Sequence, residues 1–410
     1  MTEQQRQEQE FLWMHEKRAA ALLLSKTLAE PSLEKQDIER ISLQGFSPDA
    51  VEKSITHFEK QIRTCPANII CLPLHAALQH PTYQAFVQKY FSTILPADTF
   101  YHALHYAHVT NVLVVYVPRG VEATSALHIV KHAAGTTALH HLLIVAEPLS
   151  KLTIIQEESA ASCAAGYAST IVEASVHEGS HITHVTLQEY PETFHQYAHK
   201  HAIVAKDGRM DWIEAHFGGA YTRAIATATL REDGASSANT TVFFGEGTQK
   251  FDIISRTIQI GKHTFADMNT VGVVADHSRA MCRGLIKIAP PSFGSCGNQK
   301  IKTLLMNKDA QANAIPSMEI DNFDVRATHE SSVGQINKDK LFYLMSRGFD
   351  EHQARMKIVE GYFAQLAKLI PDKQIEQKVM ALIRKKLQME TEQEEHLLEQ
   401  YEESEENVYA

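Results

Sequence analysis

The sequence predicts a mainly β protein: a right-handed parallel β-helix of two flattened faces, with α-helical regions before and after it. Three observations predict this. From about residue 109 to residue 336, short β-branched and apolar runs follow one another with almost no helix between them, and their starts lie mostly 10 to 17 residues apart. At least fifteen such runs occur in one unbroken stretch, whereas a β-sandwich normally closes with roughly seven to ten strands. The alternation is also one-sided, as in Arg223-Ala224-Ile225-Ala226-Thr227-Ala228-Thr229-Leu230, and small inward residues suit a narrow interior. Stacked coils need only nearest-neighbour contacts, so their number is not limited. No strict repeat is visible, and an antiparallel sandwich or barrel also fits the spacing.

The elements divide the chain into a mostly helical region over residues 1–104, the β-helix over 105–336, and a helical region with an acidic tail over 337–410. In the first region Leu12, Ala19, Leu22 and Leu23 share a face at helical spacing. Ser47 followed by Pro48 offers an N-cap with proline at the first helical position. Gln84 to Leu95 is amphipathic and stops before Pro96. The strand runs are Val112–Val117, Leu142–Val145, Leu152–Ile155, Ser169–Val172, Ile182–Leu187, Ala202–Val204, Asp211–Glu214, Ile225–Leu230 and Thr240–Phe244, followed by Asp252–Ile260, Thr270–Val274, Leu285–Ile288, Thr303–Met306, Met318–Ile320 and Val325–Ala327. Glycine, aspartate, asparagine or serine usually separates them. After Ile336, Lys338–Arg347 reads as a helix stopped by Gly348. Asp350 with Gln353 forms a capping-box pattern for the next helix, which Pro371 ends, and Asp372 caps a third.

Composition narrows the function. A formal net charge of -10 argues against a nucleic-acid-binding face. Nine of the acidic residues are glutamates within 390–406, and without them the body carries 40 acidic against 39 basic residues. That segment reads as a solvated end. The five cysteines, Cys65, Cys71, Cys163, Cys282 and Cys296, are odd in number and form no CxxC pair, which suits reduced thiols in a cytosol. The polar start MTEQQRQEQE is no signal peptide and the early apolar run Ala19–Leu24 is too short to span a bilayer, so a cytoplasmic protein without membrane contact is expected. No GxxxxGK[ST] motif occurs, so the chain carries no P-loop.

The segment EIDNFDVRATHESSVGQ over Glu319–Gln335, and DKLFYLMSRG over Asp339–Gly348, closely resemble the end of the β-helix in the SufB/SufD family. Weaker matches lie upstream in the family's order, at Lys89–Thr93, Tyr116–Val121 and Arg283–Ile288, so the resemblance covers about residues 67–370. It supports the solenoid over the sandwich. It implies a non-catalytic scaffold for iron–sulfur cluster assembly, with no stable cofactor of its own and a transient cluster in the complex. It further implies docking of a SufC-type ABC ATPase through the helical C-terminal region, at Leu341, Phe342, Met345, Arg347 and Phe363. Pairing with a SufB-type paralogue or with a second copy is implied as well.

The resemblance also assigns site residues. His329 matches a histidine that is functional in the family, and Glu330 the glutamate that follows it in SufB-like members; the two would meet transient iron or the nascent cluster. Adjacent residues of a regular strand point to opposite faces, so a bulge or strand end would be needed for both to ligate one ion. The sulfur-accepting cysteine of SufB-like members falls here at Ile301, and a second at Ser159; Cys296 and Cys163 lie five and four residues away. Gln188, Tyr190 and Lys200 match residues thought to line a sulfur path, with tyrosine in place of tryptophan; a polar Gln188 also suits capping of a coil by hydrogen bonds. Among 23 histidines, His102/His105, His140/His141 and His195/His199/His201 form clusters without the spacing of a structural zinc site. The missing cysteines favour a SufD-like subunit; a self-pairing SufB-like scaffold is the alternative, favoured by the Lys89-Tyr90-Phe91 segment, Gln188, Lys200 and Glu330. A solenoid carbohydrate enzyme would need clustered acidic residues on an exposed face, which this chain lacks.

Overall fold

A computed structural model describes residues 3–28, 41–46, 61–161 and 164–387. Successive strands alternate between two nine-stranded sheets. One sheet holds, in spatial order, β1 (Ile62–Thr64), β4 (Leu127–Ala133), β6 (Lys151–Ala160), β8 (His181–Glu189), β10 (Arg209–His216), β12 (Ser236–Gly245), β14 (Phe265–Val274), β16 (Ser295–Leu305) and β18 (Val325–Gln335). The other holds β2 (Ile70–Pro73), β3 (Asn111–Val117), β5 (Thr137–Ala146), β7 (Gly166–Val176), β9 (Phe194–Val204), β11 (Tyr221–Leu230), β13 (Lys250–Gln259), β15 (Arg279–Ile288) and β17 (Gln311–Ile320). From β3 to β18 every ladder is parallel, and partners lie 26 to 32 positions apart, from His195 with Tyr221 to Arg279 with Gln311. One coil therefore spends a strand on each face. The result is a parallel β-solenoid of about eight coils. β1 and β2 run antiparallel to β4 and β3 and close its first end.

All fifteen runs read as strands are strands. The sixteenth, β4, escaped notice because His128, Lys131 and His132 interrupt its apolar pattern, yet Lys131 is fully buried. β1 and β2 lie inside the region expected to be helical.

Between the sheets, Leu113, Val115, Leu142, Ile144, Val172, Ala202, Ala226 and their neighbours form a closed apolar core, each large buried side chain contributing about 1.5–3 kcal/mol. Each sheet's outer face is covered by one end of the chain. The helices Leu74–Gln79, Pro81–Tyr90 and Phe100–His108 pack Phe91, Leu95 and Tyr106 over Leu139, Leu143 and Ile171. The helices Glu351–Ala367 and Lys373–Lys386 pack Val359, Phe363, Val379 and Ile383 over Val185, Ile213, Val242 and Phe244. The first helix, Glu3–Thr27, docks through Met14 and Ala21 and exposes Ala19, Leu22 and Leu23. Those last three do not form its contact face; Leu12 lies outside the residues whose side chains are described. The Ser47-Pro48 cap also falls outside the described residues, as do Cys163 and the acidic 390–406. No described helix is long and apolar enough to cross a membrane.

Candidate functional site

Among the described residues, no further strand is laid on the last coil. β17 and β18 are the end strands of their sheets. In β16, the inward positions Gly297, Gln299, Ile301 and Thr303 are buried. Their partners in β18 are Ala327, His329, Ser331 and Val333, of which the last three are exposed. His329 thus ends an inward-facing row that runs from His184 through Trp212, Asn239, Met268 and Gln299.

Glu330 points to the other side of the sheet. Lys300 and Lys302 of β16 hold it at 3.1 and 3.0 Å, and they keep its carboxyl below the ordinary carboxylate range. The register of β16 with β18 is continuous, without a bulge. The structure therefore separates the two residues that the His-Glu pattern placed together. Cys296 pairs with Arg326 in the same outward set as Glu330, about 13 Å from it along the strand at 3.3 Å per residue. It shares no face with His329. Ile301 is buried in the interior beside Cys282. The Cys282 thiol is pushed up to about 12 by burial, and the Thr303 hydroxyl lies 3.9 Å from it.

A second set of polar groups lies inside the solenoid. Two inward rows on the first sheet read Lys131–Glu158–Gln188–His216 and Gln156–Thr186–Glu214–Thr241–Thr270. Buried charge needs a partner, and most of these groups have one. Lys200 reaches across from β9 to Glu214 at 2.7 Å and to the Thr186 hydroxyl. Burial alone would raise the Glu214 carboxyl, but Lys200 and His216, the latter at 3.2 Å, hold it far below its usual value. Glu158 accepts from Gln156, from Thr170 at 3.0 Å and from Gln196 at 2.8 Å. Lys131, pushed down to about 8 by burial, has no hydrogen-bond partner among the described residues. Gln188 donates to the Gly218 carbonyl at 3.2 Å and accepts from its N–H at 3.0 Å, which is the coil-capping geometry. Tyr190 stacks on Phe194 with ring centroids 5.6 Å apart. The polar rows end at Phe243, which stacks on Phe251, and at Ile301. Sequence reasoning found Gln188 and Lys200. It missed Lys131, Glu158, Glu214 and His216, because a polar residue in an alternating strand reads as outward-facing.

The C-terminal region presents a third feature. The helix Lys338–Ser346 buries none of its residues. Phe342 is 73% exposed, and Tyr343 and Met345 are exposed beside it. Phe342 and Met345 border a groove lined by Leu305, Met306, Ile336, Leu341 and Arg355. Arg347 lies over the Tyr343 ring, 5.2 Å from its centroid. Phe363 is a correction: it is fully buried against the solenoid, with its ring 6.4 Å from Phe244, and offers no surface to a partner. Among the described residues, no group of three or more His, Cys, Asp or Glu side chains is arranged to hold a metal ion.

Comparison with known proteins bears on all three features. Residues 128–362 match the SufBD core domain of SUF-system FeS cluster assembly. An iron–sulfur cluster assembly SufBD family protein of Staphylococcus saprophyticus is 24% identical over 345 residues, covering 82% of this chain and 72% of that one. SufBD family proteins of Staphylococcus aureus strains MRSA252 and USA300 are each 24% identical over 340 residues, with the same coverage. The matched core begins in β4 and ends in the helix Glu351–Ala367, so it takes in the polar interior, the open last coil and the exposed helix together. With more than half of its length matched in this way, the chain belongs to the SufBD family of SUF-system iron–sulfur cluster assembly proteins.

Proposed function

We propose that this chain is a non-catalytic, SufD-like scaffold subunit of a SUF-type assembly complex, which pairs through its last coil with a SufB-type subunit and docks a SufC-type ABC ATPase. The carrying observation is the open last coil. Among the described residues, β17 and β18 present unpaired backbone edges, which a soluble protein normally covers, and the inward row that is buried elsewhere is exposed there at His329, Ser331 and Val333. A partner edge laid on this coil would enclose His329. A neutral imidazole is a suitable donor for iron near neutral pH. Glu330, engaged by two lysines on the opposite side, serves the pairing face rather than the same iron ion. The sulfur chemistry would come from the partner, since Ile301 can neither carry a persulfide nor ligate iron.

The ATPase would sit on Leu341, Phe342, Met345 and Arg347. A nine-residue helix that exposes two aromatics and a methionine beside an apolar groove suits a protein contact. ATP hydrolysis belongs to that partner, because this chain lacks a P-loop.

The test is co-expression with SufC-type and SufB-type chains, followed by iron and labile sulfide measurements on the purified complex. His329→Ala is expected to lower cluster loading severalfold with assembly and ATP hydrolysis intact. Replacement of all five cysteines is expected to leave loading unchanged. The alternative, a self-pairing SufB-like scaffold, would need Cys163 or Cys296; loss of loading on replacing either one alone would favour it and overturn the SufD-like reading.

A further inference from the structure

At the closed end of the solenoid, far along the coil stack from β18, two cysteines meet. The turn Pro66–Ile69, closed by a 3.0 Å hydrogen bond from the Ile69 N–H to the Pro66 carbonyl, folds the chain back between β1 and β2. It brings the Cys65 and Cys71 sulfurs to 3.5 Å. Cys65 is exposed, and its thiol also lies 3.7 Å from the Pro66 and Ile69 carbonyl oxygens. Cys71 is half-buried in β2. A disulfide sets its sulfurs about 2 Å apart, so bond formation needs about 1.5 Å of approach within a short surface loop.

We propose that Cys65 and Cys71 form a redox-reversible dithiol site, oxidised by small-molecule disulfides, with Cys65 as the attacking and Cys71 as the resolving thiol. The exposed Cys65, as thiolate, attacks one sulfur of the incoming disulfide. A mixed disulfide forms and one small thiolate leaves. Cys71 gives up its proton to solvent, attacks the Cys65 sulfur and displaces the second small thiolate. The chain loses two protons and two electrons, and the small-molecule disulfide gains them as two thiols. Order of attack follows from access, since Cys65 is exposed and Cys71 is half-buried. Burial and the adjacent Cys65 push the Cys71 thiol up, which favours its reacting second, within the mixed disulfide. The other described cysteines lack this geometry: Cys282 is fully buried, and Cys296 lies in β16 in a different coil. The bond would tie β1, the first strand of one sheet, to β2, the first strand of the other. β1 has only two paired positions with β4, in irregular register, so the clamp would fasten the weakest-held strand of the solenoid.

The experiment uses the full reduced chain and a series of oxidised to reduced glutathione ratios, read by mass spectrometry of unreduced tryptic digests. The peptide from Thr64 to Lys89 carries both cysteines and no other. The expected product is that peptide lighter by two hydrogens, restored by excess reduced glutathione. Cys71→Ser should accumulate a glutathione adduct on Cys65 at least tenfold above the wild-type level, and Cys65→Ser should react at least tenfold more slowly than the wild type. A wild-type peptide that remains a dithiol under conditions that modify Cys71→Ser, or that stops at the glutathione adduct, overturns the proposal. So does a Cys65→Ser chain whose Cys71 reacts as fast as the wild type. Because the wild-type mass decides the main outcome, no variant's folding is required for it.

Discussion

At the scale of single residues, the solenoid interior is where polar groups carry the largest energies. Lys200 and Glu214 are almost completely buried and face each other at 2.7 Å. Removing one member leaves the other's charge stranded, which typically costs about 3–5 kcal/mol. Lys200→Met should therefore lower unfolding free energy by about that much in urea titrations, and Lys200→Met with Glu214→Gln should recover part of the loss. Full additivity of the two single effects would show that the pair is not coupled. Part of this was open to sequence reasoning. Gln188 and Lys200 stood out by resemblance, and Ile301 as a missing cysteine. The partners Glu214 and His216 did not, because strand alternation assigns polar side chains to solvent by default, and only the coil register reveals that these rows face inward. Phe363 shows the converse failure. The resemblance placed it on a docking surface, but its contact is with the chain's own β12 at Phe244.

At the scale of elements, the coils are aligned by a ladder of residues at one corner. Gly120, Leu149, Gly179, Asp207, Gly234, His263 and Gly294 all have positive φ, and each donates its N–H to the following coil, as Gly234 does to the Lys262 carbonyl at 2.8 Å. Glycine alternates with side-chain-bearing residues for a packing reason. A Cβ on Gly234 would lie 2.0 Å from the Asp207 carboxylate, and one on Gly294 would lie 2.4 Å from the His263 ring. Gly234→Ala should thus destabilise by about 1–3 kcal/mol, more than the left-handed backbone penalty of about 1–2 kcal/mol alone, and Asp207→Gly should relieve the excess; thermal melts of both and of the double variant check this. The glycines were visible as punctuation in the sequence, but the ladder was not, since three of its seven rungs are not glycine.

The N-terminal helices depend on a different device. Glu173 of β7 accepts from the Ser92, Thr93 and Leu95 N–H groups at 2.7, 3.2 and 2.8 Å, which ends the helix at Tyr90 instead of carrying it to Leu95. Nearby, His102 and His199 share a 2.9 Å hydrogen bond. Burial lowers both imidazoles, and lowers His201 to about 4. These rings fold neutral, so the unfolded chain binds more protons below its ordinary pKa near 6.5, and stability falls as pH drops from there toward about 4. Glu157, lowered to about 2 by His128 and Lys378 against the opposing effect of burial, loses its own contribution only below its unfolded value of 4.5. Melting temperature should therefore decline between pH 6.5 and 4.5 chiefly through the histidines, and His199→Gln should flatten that decline. An unchanged slope in the variant would remove His199 from the account.

At the scale of the whole molecule, the N- and C-terminal helices pack on opposite faces of the solenoid, and among the described residues nothing is laid on the edges of β17 and β18. The N-terminal helices shield the β3–β13 sheet and the C-terminal helices shield the opposite one, while β1 and β2 close the first coil. At the other end β17 and β18 are, among the described residues, the last strands of their sheets, and the inward row of β18 is exposed at His329, Ser331 and Val333. This asymmetry was foreseeable in outline, because helical periodicity flanks the strand run. Which face each end covers was not foreseeable, since amphipathic stripes carry no record of which sheet they meet. The asymmetry leads to a pairing prediction. Val333 is partly exposed on the inward row of β18, where an added charge costs little in the isolated chain but would be desolvated under a partner strand. Val333→Lys should leave the melting temperature of the isolated chain within about 2 °C, because exposed substitutions shift stability by about 0.5 kcal/mol or less. In the assembled complex the buried ammonium would lack a partner, and loss of affinity of at least a hundredfold is expected, from a penalty of several kcal/mol at 1.4 kcal/mol per tenfold. Light scattering of the wild type with its paired subunit should give the summed mass, and the variant should elute as separate chains at micromolar concentration. A Phe342→Asp variant, altered on the exposed C-terminal helix instead, should retain pairing and lose only the ATPase. If Val333→Lys pairs as tightly as the wild type, the last coil is not the contact, and the enclosure of His329 by a partner strand falls with it.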